Sequence, residues 1–146
     1  MTSGGDKRLR VMIVDDHREL LDSLSFALPT IAAIDVIAVE SAAEALRGIM
    51  EHRPDCIIID VKMPQIDGLQ LVRVLRGDPE TADIPMVILS AFVQERDQSA
   101  GMLAGADQYL TKPSKPQTIV EAIMTAVRLS QQERDARLHG LAEDVE

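Results

Sequence analysis

Asp15, Asp16, Asp60, Ser90 and Lys112 are the residues whose types and placing suit chemistry. Each follows a short aliphatic stretch. Val11-Met12-Ile13-Val14 leads into Asp15-Asp16, Cys56-Ile57-Ile58-Ile59 into Asp60, and Met86-Val87-Ile88-Leu89 into Ser90. Gln108-Tyr109-Leu110 leads through Thr111 into Lys112. Carboxylates drawn together disfavour one another's ionised forms and require a cation. Oxygen ligands suit a hard divalent ion, and Mg²⁺ takes one or two carboxylates together with waters and a phosphate. Lys112 adds a mobile positive charge and Ser90 a hydroxyl. This set suits a phosphoryl group carried on Asp60, with the carboxylate as nucleophile and the cations neutralising oxygen charge.

Taken singly, each residue has an ordinary explanation. An Asp-Asp pair after a strand is commonly a helix-capping turn, and Asp60 alone is a solvated strand end. Ser90-Ala91 and Lys112-Pro113 are polar turns, since the residue before a proline is pushed out of the helical region. The joint pattern is more specific, because all these residues fall at strand ends, in order, with helices between them.

The elements that must position them are legible from periodicity. Short apolar runs rich in β-branched residues predict buried strands at 10–14, 34–39, 56–59, 86–89 and near 108–110. Leu20, Leu21, Leu24, Ala27 and Leu28 recur at helical spacing, and Pro29 is expected to close that helix. Ser41 with Glu44 predicts a capping box, opening a helix that turns Ala42, Ala45, Leu46, Ile49 and Met50 inward. Further helices are expected at 68–76 and 94–104, and from Pro116 to at least Leu129. Alternating strands and helices predict a parallel sheet covered on both faces. In the strand order 2-1-3-4-5 the order reverses between the first and third strands, and ligands bind at the carboxyl edge there. Asp15, Asp16 and Asp60 then share one crevice. Residues 1–8 read as a loose tail, 9–129 as one domain, and 130–146 as a polar extension of the last helix. In that extension a 4-3 series through Val120, Met124, Val127, Gln131, Arg134, Leu138 and Leu141 gives a weak coiled-coil alternative.

Bulk composition narrows the function classes. The 146 residues are 46% hydrophobic and 27% charged, as in an ordinary globular domain. Phe26, Phe92 and Tyr109 are the aromatic residues, too few for a base-stacking platform. A net charge of -9 argues against binding a phosphate backbone. Cys56 has no partner cysteine and reads as a core residue. The N-terminus lacks the apolar region of a signal peptide, and no run is long enough to span a bilayer. A cytoplasmic protein is expected.

The stretches 11–17, 57–69, 84–91 and 105–113 resemble the receiver domain of two-component response regulators, and the likeness covers about residues 9–129. The resemblance implies a flavodoxin-like (βα)5 doubly wound sheet. It implies that Asp60 is the phosphoacceptor, served by a sensor histidine kinase or a histidine phosphotransfer protein. Asp15 and Asp16 would hold Mg²⁺ with the Asp60 carboxylate and the Lys62 backbone carbonyl. Lys112 would contact a phosphoryl oxygen, Ser90 would be the switch hydroxyl and Tyr109 the switch aromatic. The readout would lie on the face of the fourth helix, fifth strand and fifth helix. Lys62 and Phe92 occupy the positions that tune dephosphorylation.

Some positions depart from the common pattern. Ser114 stands where many receivers have phenylalanine. Gln108 replaces an acid common in receivers that dimerise through the readout face, which weakens the expectation of a homodimer of that kind. The residues after Leu129 are too few for a DNA-binding unit, so output is expected through a protein effector, without nucleic acid or membrane. On this reading the chain is a signalling protein, not an enzyme in the ordinary sense. The alternatives are a non-phosphorylated pseudo-receiver scaffold and a Mg²⁺-dependent phosphatase. The intact acidic set opposes the first. Lys62 opposes the second, because it stands where such enzymes need a second acid.

Overall fold

The computed structural model describes residues 7–63 and 65–144. Strands β1 (Leu9–Val14), β2 (Ile34–Val39), β3 (Cys56–Ile59), β4 (Met86–Ser90) and β5 (Gln108–Thr111) form a parallel sheet of order β2-β1-β3-β4-β5. Helices α1 (Arg18–Ile31), α2 (Ala42–His52), α3 (Gly68–Gly77), α4 (Glu95–Ala104) and α5 (Pro116–Asp144) connect and cover it. This is the doubly wound, flavodoxin-like order expected from the sequence.

The alternation of side chains along each strand builds two cores. Val11, Ile13, Cys56, Ile58, Val87 and Leu89 face α1 and α5. Met12, Val14, Ile57, Ile59 and Met86 face α2 and α3. Burial on both faces explains why the central strands are continuous apolar runs. Ile57, Ile58 and Ile59 are at most 1% exposed, and each contributes about 1.5–3 kcal/mol of burial. Cys56 lies in the first core, where burial pushes its thiol far up and leaves it unreactive.

Three local expectations need correction. Pro29 lies inside α1, which continues to Ile31. In the last turn its missing amide removes one helical bond only. Thr30 Oγ1 donates to the Ala27 carbonyl at 2.6 Å, and the Ala32 amide caps Leu28 at 3.2 Å. In α2, Leu46 and Met50 are exposed rather than inward. The helix packs through Ala42, Ala45 and Ile49, as expected, and through Gly48, where a Cβ would lie 3.2 Å from Met12 Cε. Ser41 does accept the Glu44 amide at 3.1 Å, but Glu44 Oε2 takes the Glu40 amide at 2.8 Å. The reciprocal arm of the capping box is therefore displaced by one residue.

Helix α5 runs on to Asp144. Val120, Met124 and Val127, the first positions of the 4-3 series, pack into the domain's own core. They are not free to form a seam with another chain.

Candidate functional site

The site starts where strand pairing ends. The Asp15 amide donates to Val39 O at 3.1 Å and the Asp60 amide to Val14 O at 3.0 Å, so the ladder carries one residue past β1 and β3. Both carboxylates are thereby held on rigid backbone, and they are 2% and 3% exposed. The Lys112 amide donates to Ser90 O at 2.8 Å, which fixes the lysine at the end of β5. Its ammonium lies 2.8 Å from Asp15 Oδ2 and 3.6 Å from Asp60 Oδ1. Asp16 is exposed at the rim. The Lys112–Pro113 peptide bond is cis.

Burial holds the Asp60 carboxyl above its ordinary value, and the Asp15 charge adds to this. Lys112 and the Lys62 amide oppose the shift. Asp60 Oδ2 is buried and accepts no hydrogen bond. A buried carboxylate oxygen left in this way is a place prepared for an electrophile or a cation. Ligand atoms of Asp15, Asp16, His17 and Asp60 all lie within 4.8 Å of one another. An oxygen-rich set around an unpaired carboxylate oxygen fits a hard divalent cation such as Mg²⁺.

Asp67 and Gly68 close the site from below. Asp67 caps α3 in a full capping box, accepting the Gln70 amide at 2.9 Å while Gln70 Oε1 accepts the Asp67 amide at 3.2 Å. A Cβ on Gly68 would overlap the Asp60 carbonyl oxygen and lie 2.8 Å from Val61 Cα. Only glycine lets the start of α3 press against the backbone of Asp60. The Asp-Gly pair followed by Gln70 was the available signal for this contact.

On the other flank, Ser90 is 1% exposed. Its Oγ accepts the Phe92 amide at 3.0 Å, while the Tyr109 hydroxyl donates to the Phe92 carbonyl at 2.7 Å. Phe92 is thus held from both sides of its backbone, with its side chain exposed. Burial raises the Tyr109 phenol above its ordinary value. Lys62 is exposed, and with Asp60 and Lys112 it lines a cavity of about 450 Å³ that extends to Leu20, Pro113 and Ser114. Asp15, Asp16, Asp60 and Lys112 are therefore drawn together as expected. Ser90 and Tyr109 form an adjoining unit around Phe92.

Two groups escaped the sequence reading. His17 is one, with Nδ1 2.8 Å from Asp15 Oδ1. Arg76 is the other. Its guanidinium donates to the carbonyls of Ala82, Ile84 and Gly105 and to Asp107 Oδ2, which also accepts the Met86 amide. That cluster ties the start of β5 to the start of β4. Nothing in the local spacing announces it.

Residues 11–124 match the family described as the response regulator receiver domain. The chain belongs to the response regulator receiver family. It is 39% identical over 119 residues to the transcriptional regulatory protein PrrA of Mycobacterium tuberculosis, covering 82% of this chain and 50% of PrrA. It is 32% identical over 126 residues to the DNA-binding response regulator MtrA of Mycolicibacterium smegmatis, covering 86% and 54% respectively. The crystal structure of a putative response regulator from Chloroflexus aurantiacus superposes with a TM-score of 0.78 at 34% identity, covering 84% of this chain and 99% of that one. The chain spans about half the length of PrrA and MtrA, whose names describe the full-length proteins. As a receiver, this domain belongs to two-component signalling, where the general function is to accept a phosphoryl group. Among the described residues no helix is long and apolar enough to cross a membrane.

Proposed function

We propose that this receiver is a phosphorylation-dependent switch with Asp60 as its phosphoacceptor. The observation that carries the reading is the unpaired, buried Asp60 Oδ2 within an acidic cluster that also contacts Lys112. The donor is a phosphohistidine of a sensor histidine kinase or a histidine phosphotransfer protein. An Asp60 oxygen forms the new bond to phosphorus as the bond to the donor imidazole nitrogen breaks, and the electron pair leaves with that nitrogen. Asp15, Asp16, Asp60 and the Lys62 carbonyl would hold Mg²⁺. The ion supplies charge neutralisation for the phosphoryl oxygens when bound. Lys112 exchanges its contact with Asp15 for a phosphoryl oxygen.

The same charge sets the output. Ser90 turns its hydroxyl from the Phe92 amide toward the phosphoryl group, which frees one of the two restraints on the β4–α4 loop. Tyr109 then follows into the vacated space, and the surface of α4, β5 and α5 changes. That surface meets a downstream protein, in the cytoplasm and without direct contact to nucleic acid. Phe92 and Lys62 hinder the attacking water and prolong the phosphorylated state. Swapping both for small or acidic residues should speed phosphate loss, and an unchanged lifetime would remove this role.

Incubation with acetyl phosphate and Mg²⁺ tests the central reading. One phosphoryl group should appear by intact mass, and it should be absent in Asp60→Ala. Absence of the adduct in the wild type would instead favour a scaffold that is never phosphorylated. Catalytic turnover of added phosphoesters would favour the phosphatase reading.

A further inference from the structure

We infer that His17 supplies a nitrogen ligand to the cation site and gives it a preference for borderline first-row metals, Ni²⁺, Co²⁺ or Zn²⁺, over Mg²⁺. The inference rests on the cation site proposed above and adds one ligand to it.

His17 occupies the N-cap of α1, with extended backbone at φ -90° and ψ 98°. Side chains at N-caps ordinarily turn forward to accept an amide of the first helical turn. The His17 side chain makes no such bond. It turns back instead, placing Nδ1 2.8 Å from Asp15 Oδ1 and 3.3 Å from Asp16 Oδ1. The His17 amide donates to the same Asp15 oxygen at 2.9 Å, which fixes the backbone from which the ring projects. A ring nitrogen, two adjacent carboxylates and the Asp60 carboxylate then lie within 4.8 Å of one another. Asp60 is 97% buried, given its 3% exposure, and has an oxygen that accepts no hydrogen bond.

Those donors differ in kind from an all-oxygen site. Mg²⁺ gains little from imidazole and holds its waters, whereas Zn²⁺, Co²⁺ and Ni²⁺ bind imidazole well. The imidazole side chain is 65% exposed, so it can leave its hydrogen bond to Asp15 and swing onto a metal without disturbing the core.

Equilibrium binding of NiCl2 and of MgCl2 to the full chain tests this, in wild type, His17→Ala and Asp16→Ala. His17→Ala should weaken Ni²⁺ binding by at least about tenfold, roughly 1.4 kcal/mol, and Mg²⁺ by much less. Cu²⁺-loaded wild type should show imidazole nitrogen couplings by pulsed EPR that the His17 variant loses, with His52 and His139 still present. An equal loss for Ni²⁺ and Mg²⁺, or couplings that survive in the variant, would overturn the inference. In either case Mg²⁺ binding that is lost in Asp16→Ala would leave the cation site itself standing. Failure of the wild type to bind any of these ions would overturn both.

Discussion

The Lys112 ammonium sits closer to Asp15 than to Asp60, at 2.8 Å against 3.6 Å. The lysine at the end of β5 thus reaches past β3 to the acid at the end of β1. It balances the most buried pair of carboxylates in the site from one position, and it stays within a short movement of either oxygen.

Lys112→Ala should therefore destabilise the metal-free protein by about 3 kcal/mol, because it leaves buried carboxylates uncompensated. Mg²⁺ should restore part of the loss by taking over the charge balance. Urea denaturation with and without MgCl2 reads both effects. An unchanged metal-free midpoint would mean that Lys112 does not balance these acids.

Asp60 carries a stability cost with a definite sign. Its folded pKa lies above the ordinary value of 3.8, so the folded state binds the proton more tightly than the unfolded chain does. Stability from this group is greatest when both states are protonated, and it falls as pH rises through the raised folded value. Asp60→Asn, which stays neutral, should be more stable than wild type at pH 7 by about 1 kcal/mol. Thermal unfolding in chelator should show that advantage shrinking as pH falls toward 4. A constant or growing difference would contradict the assignment.

Gly68→Ala should cost about 1–3 kcal/mol, since the added methyl meets the Asp60 carbonyl and Val61 Cα. The backbone under Asp60 and Lys62 must move to admit it. Cation binding should therefore weaken as well, measured by titration of MgCl2. Wild-type affinity in a folded variant would show that the close approach does not position the site.

Arg76→Ala should be the most damaging surface-directed change, at about 3 kcal/mol. It strips three carbonyls of their side-chain donor and leaves Asp107 with only the Met86 amide. Arg76→Lys should recover only a small part, because an ammonium cannot reproduce the planar fork. Equal stability of the lysine variant and wild type would reduce Arg76 to a simple charge.

The order of elements was legible because buried parallel strands must be continuous apolar runs and the helices between them must repeat at helical spacing. Ile57-Ile58-Ile59 before Asp60 could hardly be anything but a central strand with a carboxylate at its tip. Leu46 and Met50 misled because periodicity marks an apolar stripe without saying how close the helix approaches. Gly48 lets α2 sit low on Met12, so Ala42, Ala45 and Ile49 are buried with it while Leu46 and Met50 flank the contact. Pro29 misled for a related reason: a proline in a last turn removes a single bond that a neighbouring cap can offset.

The sequence by itself determined the fold class, the strand ends and the candidate acids, because these follow from local patterns of apolar and polar residues. Only the tertiary structure decided which acid holds Lys112, where His17 points, and that Gly68 and Arg76 brace the strand ends. Lys112 and Asp15 are 97 residues apart. Their pairing depends on the packed order of β1, β3 and β5 and on competition among three carboxylates, which no local spacing encodes.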